Sequence, residues 1–213
     1  MKSHRATDLA AWLEPSRTAL LIIDMQADFA LPDGAMGGSG ADLSRVPDAL
    51  AASQVLAAAA RRAGVAAIFV GLQTTPATDS EAWIERARRL GQDATMGLCR
   101  KDEVGATFVG ATPEPGDLVF AKTRYSAFFG GELDAQLRSR GLDTLVVCGL
   151  TTECCVAAAV RDAYERDYHV FVASDACAAY EPELHRVSLE AMALNSAIVV
   201  AADEVFRAWS GRI

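Results

Sequence analysis

The sequence predicts an α/β protein of three layers, α/β/α, built on a six-stranded, mostly parallel sheet. Two observations predict it. Six short apolar runs recur along the chain, and between most of them lie stretches with the 3.6-residue period of an amphipathic helix. Alternating strand and helix means right-handed βαβ units. Parallel strands buried on both faces account for runs that are apolar throughout rather than at every second residue.

Taken in order, the first run is Thr18–Ile23 (TALLII), too short for a helix and followed by an acid, Asp24. A helix is expected over Pro47–Ala63, with a proline in its first turn, Arg61 and Arg62 in its last and Gly64 just beyond. Ala66–Val70 is the second strand and Ser80–Leu90 the next helix. Leu118–Ala121 is the third strand, followed by a helix at Glu132–Arg140 that Gly141 terminates. Thr144–Cys148, the helix Thr152–Arg166, Val170–Ala173, the helix Pro182–Leu194 and Ala197–Ala201 complete the pattern. Two segments break the alternation: the glycine-rich Leu31–Gly40 and the long Gly91–Gly116. Loops of that length in an α/β protein are expected to be lids or walls of a site. With no repeat or linker, residues 1–213 read as a single domain.

Composition narrows the function. Twenty Lys and Arg against 28 Asp and Glu give a net charge of -8, which would repel rather than gather a phosphate backbone, so no nucleic-acid partner is expected. No apolar run approaches the ~20 residues that span a bilayer, and the opening MKSHRATDLAAWLE is broken by Asp8 and Glu14 where a signal peptide needs apolar continuity. A cytoplasmic protein without membrane contact is expected. Five cysteines without zinc-ligand spacing, several beside strand-like runs, are expected to be reduced thiols.

Ligands of open α/β sheets bind beyond the carboxyl ends of the strands. There the sequence delivers a carboxylate (Asp24), an ammonium (Lys122) and, after Cys148-Gly149-Leu150 and a turn, two adjacent thiols, Cys154 and Cys155. Each has a plain structural alternative: an Asp as loop cap, a Lys as surface charge, a Cys as small buried residue. Together they form a set, since a cation near a thiol favours the thiolate and a nearby carboxylate can take and return the proton. GAMGGSG (34–40) lacks the placement and spacing of a dinucleotide-binding turn, and no cofactor is expected.

The segments LLIIDMQADF (20–29), FAKTRYSAFFGGELDAQLRSRGLDTLVVCG (120–149) and GLTTECCVAAAVRDA (149–163) resemble the isochorismatase-like cysteine hydrolases. That family includes nicotinamidases and hydrolases of N-carbamoylsarcosine and ureidoacrylate. The resemblance implies a Rossmann-like fold and a triad of Asp24, Lys122 and Cys155, because the family's nucleophile takes the last position of G-x-x-T-x-x-C and Gly149 and Thr152 set that register. It further implies a cis peptide at Leu150-Thr151, an oxyanion hole at the amides of Thr151 and Cys155, and assembly as a homodimer or homotetramer. Metal-dependent nicotinamidases carry an Asp-x-His and a further His after the second strand. Here Gln73, Thr74 and Thr75 stand in VGLQTTPATDSEAW, so no catalytic metal is expected.

What the resemblance leaves is a metal-independent hydrolase of a carbon–nitrogen bond in a small amide or ureido/carbamoyl substrate, acting through a thioester and releasing ammonia. Arg124 has two readings, a guanidinium for a substrate carboxylate or a structural salt bridge. Phe29, Gln73, Trp83 and Phe128 are candidate pocket walls, against the plainer reading of large apolar residues as core. The alternatives are a nicotinamidase-like or isochorismatase-type hydrolase, or a non-catalytic, redox-sensing relative.

Overall fold

A computed structural model of the chain describes residues 9–92 and 97–211. The opening residues 1–8 and positions 93–96 of the Gly91–Gly116 loop lie outside the described residues. Six strands, β1 (Thr18–Ile23), β2 (Ala66–Leu72), β3 (Leu118–Lys122), β4 (Thr144–Leu150), β5 (His169–Ala178) and β6 (Ile198–Val200), form one sheet in the order β3-β2-β1-β4-β5-β6. Every pairing is parallel, so the mostly parallel sheet expected from sequence is wholly parallel.

The chain steps outward from β1 in one direction through β2 and β3, then from β4 in the other through β5 and β6. Right-handed crossovers taken in opposite directions place their helices on opposite faces. Helix α1 (Val46–Ala63) packs on β1, β2 and β5, and the last helix returns to lie against it. Between β2 and β3 runs α2 (Glu81–Arg89), between β3 and β4 α3 (Glu132–Ser139), between β4 and β5 α4 (Ala157–Tyr164), and between β5 and β6 α5 (Pro182–Asn195). The chain closes with α6 (Ala202–Ser210). The core lies between these layers: all six residues of β1 are buried, and α1 turns Ala49, Leu56, Ala57 and Ala60 to the sheet. Each Leu or Ile so buried stabilises the fold by roughly 1.5–3 kcal/mol. Alanines let the helix backbone approach closely.

Three elements depart from the expectations. β5 extends five residues beyond Ala173, through polar Ser174 and Asp175. Their side chains are satisfied by the neighbouring chain: Ser174 Oγ donates to the Val200 carbonyl at 3.1 Å and Asp175 Oδ1 accepts the Ala202 amide at 2.7 Å. The helix expected over Thr152–Arg166 opens as a wide π-type turn, Thr152–Val156, before α4 begins. Helix α6 was not anticipated, its buried Val205, Ala208 and Trp209 being anchored where Trp209 Nε1 donates to Leu13 O at 3.2 Å. Among the described residues no helix is long and apolar enough to cross a membrane.

Candidate active site

Beyond the carboxyl ends of β1, β3 and β4, three side chains converge. Asp24 follows β1 directly, fully buried and with φ at 51°, a left-handed conformation that Asp tolerates better than most residues. Its amide donates to Val70 O at 2.9 Å, and its Oδ1 accepts the Leu72 amide at 2.9 Å. Lys122 is the last residue of β3, paired in register with Leu72 of β2. Its Nζ lies 2.8 Å from Asp24 Oδ2 and donates to Cys155 Sγ at 3.3 Å and to Arg124 O at 3.0 Å. Two of these contacts are hydrogen bonds, and the third is an ion pair between buried charges. The cluster is dry, with the Lys122 side chain 1% exposed and that of Asp24 0%.

Cys155 reaches this point because β4 approaches β1 closely and then turns. A Cβ at Gly149 would stand 2.1 Å from Ile23 O, and its φ is 141°, so glycine alone fits where β4 passes β1. The Leu150-Thr151 peptide is cis, as the resemblance implied. In the π-type turn that follows, Cys155 faces Lys122 while Cys154 is partly exposed.

The electrostatics follow from burial and from charge pairing. Burial acts to lower the Lys122 pKa, but the Asp24 and Cys155 charges and hydrogen bonds outweigh it, and the shift is upward. The ammonium is therefore held protonated. Cys155 is pushed well above an ordinary thiol by its hydrogen bond with Cys154, by burial and by the Asp24 charge, with Lys122 acting in the opposite direction. At rest the sulfur keeps its proton. A carboxylate, an ammonium and a thiol linked in this way can exchange one proton without admitting water.

The other residues singled out from sequence fall around this cluster unevenly. Gln73 adjoins it through its backbone, whose N–H donates to Lys122 O at 2.9 Å. Phe29 is buried in the short helical turn Ala27–Ala30, and its carbonyl accepts the Tyr180 hydroxyl at 2.9 Å. Trp83 lies half-buried in the first turn of α2, its amide capped by Ser80 Oγ. Among the described residues Arg124 makes no salt bridge. Its Nη1 donates to the carbonyls of Thr78 and Thr123, and its guanidinium lies 5.3 Å from the Phe129 ring centroid. Phe128 is not brought to the site. Its ring is buried against Tyr168 and beneath the Arg166 guanidinium, a core position near the end of α4.

Sequence reasoning passed over four residues that build the surroundings. Gln26 is buried with its side-chain amide fully used, donating to Leu72 O and Ala106 O and accepting the Leu72 amide. Tyr180 ties the end of β5 to Phe29. Cys99 is buried near the charges of Asp24 and Lys122, and burial pushes its thiol up. Asp28 clasps the two irregular segments together, accepting the Ala35 amide at 3.1 Å and the Cys99 amide at 2.6 Å. Of these only Gln26 had a sequence signal, its place directly after Asp24-Met25. Asp28→Ala is expected to cost about 2–4 kcal/mol, since hydrogen bonds to a charged group contribute roughly 1.5–3 kcal/mol each and the freed amides can partly rehydrate. A lower denaturation midpoint, with faster proteolysis at 31–40 and 97–116, is the expected readout.

The comparisons with known proteins agree with this architecture. Residues 18–204 match the isochorismatase domain, and the chain belongs to that family. It is 35% identical over 189 residues to ureidoacrylate amidohydrolase RutB of Methylobacterium radiotolerans, covering 83% of this chain and 73% of the relative. Among solved structures it is similar to a cysteine hydrolase from Pseudomonas syringae pv. phaseolicola 1448A, with a TM-score of 0.80, 28% identity and coverage of 93% and 95% of the two chains. It is also similar to N-carbamoylsarcosine amidase from Thermoplasma acidophilum, with a TM-score of 0.70, 27% identity and coverage of 88% and 97%.

Proposed function

We propose that the protein is a metal-independent cysteine hydrolase that cleaves the carbon–nitrogen bond of a small amide or ureido/carbamoyl compound through a thioester, releasing ammonia. The family and the amidohydrolase relatives support a hydrolase of non-peptide C–N bonds. The observation that carries the chemistry is the buried Lys122 Nζ, 2.8 Å from Asp24 Oδ2 and 3.3 Å from Cys155 Sγ.

In this reading Asp24 takes the Cys155 proton as the sulfur attacks the carbonyl carbon. The raised thiol means the proton moves during attack rather than before it. The amides of Thr151 and Cys155 hold the oxyanion. Asp24 then gives its proton to the departing nitrogen, which leaves as ammonia, and the acyl group remains on sulfur. A water deprotonated by Asp24 attacks the thioester, and the leaving sulfur recovers the proton. Lys122, 2.8 Å from Asp24 Oδ2, balances the charge of that carboxylate and holds it in place between turnovers. No step needs a metal, and after β2 Thr74 Oγ1 donates to Leu98 O while Thr75 pairs with Thr78.

An ammonia-release screen over ureido acids, N-carbamoyl amino acids, primary amides and nicotinamide tests the reading. Turnover is expected among the first three classes, and activity confined to nicotinamide would overturn the substrate assignment. Prolonged chelation is expected to leave the rate unchanged. Loss of activity restored by zinc, manganese or iron would show that the segment after β2 had been misread.

A further inference from the structure

Among the described residues, the π-type turn that carries the thiol is tied to other elements by side-chain hydrogen bonds at two points. Cys155 Sγ meets Lys122 Nζ at 3.3 Å, and Thr152 Oγ1 lies 2.8 Å from Nδ1 of His185 on α5. The first tie belongs to the catalytic cluster, and the second does not. The Thr151 hydroxyl adds none, since its acceptor, Glu153 Oε1, lies inside the same turn. His185 reaches this point because it shares one face of α5 with Leu189 and Met192, at i, i+4 and i+7. Those two pack into the core, Met192 fully buried. Helix α5 therefore lies against the turn, with its imidazole at the turn's first residue.

Thr152 is fully buried, and its hydroxyl proton has no other acceptor among the described residues. Burial and the Arg45 charge, against that of Glu153, lower the His185 pKa below the ordinary histidine value, so the ring is uncharged near neutrality. An uncharged ring with its proton on Nε2 offers Nδ1 as an acceptor, and the hydroxyl donates to it. Thr152 directly follows the cis peptide and adjoins Thr151, whose carbonyl accepts the amides of Cys154 and Val156 at 3.1 and 3.2 Å. Displacing Thr152 therefore displaces the frame on which both the Thr151 amide and Cys155 are set.

We propose that His185 is a positioning residue: by accepting the Thr152 hydroxyl it holds the turn in the setting that puts Cys155 Sγ against Lys122 and presents the Thr151 amide beside it. The inference rests on the hydrolase reading above for what the turn does, and adds a residue of a different helix that fixes it. With that bond gone, the side-chain tie that remains is the thiol itself, and the nucleophile is free to swing off the ammonium into water.

The test follows alkylation of Cys155 by iodoacetamide against pH, read by peptide mass, which needs no turnover. His185→Phe keeps a flat ring without an acceptor, His185→Asn returns an oxygen near the place of Nδ1, and Thr152→Val removes the hydroxyl while keeping the shape. In its seat the Cys155 thiol stands well above an ordinary one, and a thiol released into water returns towards ~8.5. His185→Phe and Thr152→Val are each expected to move the profile to lower pH by about one unit, which is about tenfold faster alkylation near neutrality. The double variant is expected to move no further than either, since both remove one bond. His185→Asn is expected to keep the wild-type profile. A His185 that only stabilises the fold lowers the denaturation midpoint without moving the profile of the folded protein. Wild-type profiles in folded His185→Phe and Thr152→Val overturn the proposal. So does a shift in His185→Asn as large as in His185→Phe, which assigns the effect to the ring and not to the bond. In the wild type, nitrogen-15 NMR is expected to find the ring proton on Nε2 near neutrality; a proton on Nδ1 overturns the proposal and requires no variant to fold. None of these readouts uses a substrate, so the ammonia-release screen and the positioning role fail separately.

Discussion

Cys155→Ala is expected to abolish turnover, with a loss on the order of 10⁴–10⁶ in kcat, the scale seen when the nucleophile of a covalent hydrolase is removed. Cys154→Ala is expected to retain most of the activity. The difference follows from placement. Cys155 Sγ is the atom that Lys122 Nζ meets at 3.3 Å, whereas Cys154 is partly exposed and makes no hydrogen bond to Lys122 or Asp24. Circular dichroism of both variants, alongside the rates, separates chemistry from folding. Equal losses in two folded variants would contradict the assignment.

Lys122→Met is expected to have the second largest effect and to report on proton control directly. Lys122 is the one neighbouring charge that lowers the Cys155 pKa, against Cys154, burial and Asp24, all of which raise it. Removing it raises the thiol further. Below its pKa a thiol loses thiolate tenfold for each unit of upward shift, so iodoacetamide alkylation near neutrality slows and the whole profile moves to higher pH. Stability falls as well, because Asp24 is left buried without its counter-ion. Breaking a buried pair from one side costs about 3–5 kcal/mol, within the 5–15 kcal/mol that holds a typical domain together, so a folded but less stable variant is expected. Lys122→Met/Asp24→Asn should recover part of that stability without recovering activity. Overlapping alkylation profiles for wild type and Lys122→Met would remove Lys122 from the chemistry.

Much of this was legible in the residues. Continuous apolar runs such as TALLII and TLVVC announce strands covered on both faces, and the glycines and prolines around the helices place their ends within a residue or two. Asp24, Lys122 and the adjacent thiols Cys154 and Cys155 were legible too, because each stands at or shortly past the end of an apolar run, where parallel strands deliver side chains to one edge; the choice of Cys155 between the two thiols came from the family resemblance. Arg124 was not: whether a guanidinium meets a carboxylate or backbone carbonyls depends on which loop folds beside it, and here the Thr78 and Thr123 carbonyls are in reach. Phe128 was misjudged for a related reason. Adjacent residues in an irregular turn have no fixed period, and it is the exposed Phe129, not Phe128, that lies beneath the Arg124 guanidinium.

The sequence by itself determined the alternation of strand and helix as far as β6, the parallel sheet they imply and the carboxylate, ammonium and adjacent thiols at its carboxyl edge, since hydrophobic period and residue chemistry are local properties. Tertiary structure alone decided how those groups are joined. The 2.8 Å and 3.3 Å contacts of one ammonium arise only when β1, β3 and β4, far apart in sequence, lie in one sheet. It decided likewise that Asp28 clasps two loops and that one oxygen of Glu153 is left without a donor. Hydrogen bonding and desolvation depend on which distant atoms arrive within 3 Å, and no periodicity along the chain encodes that.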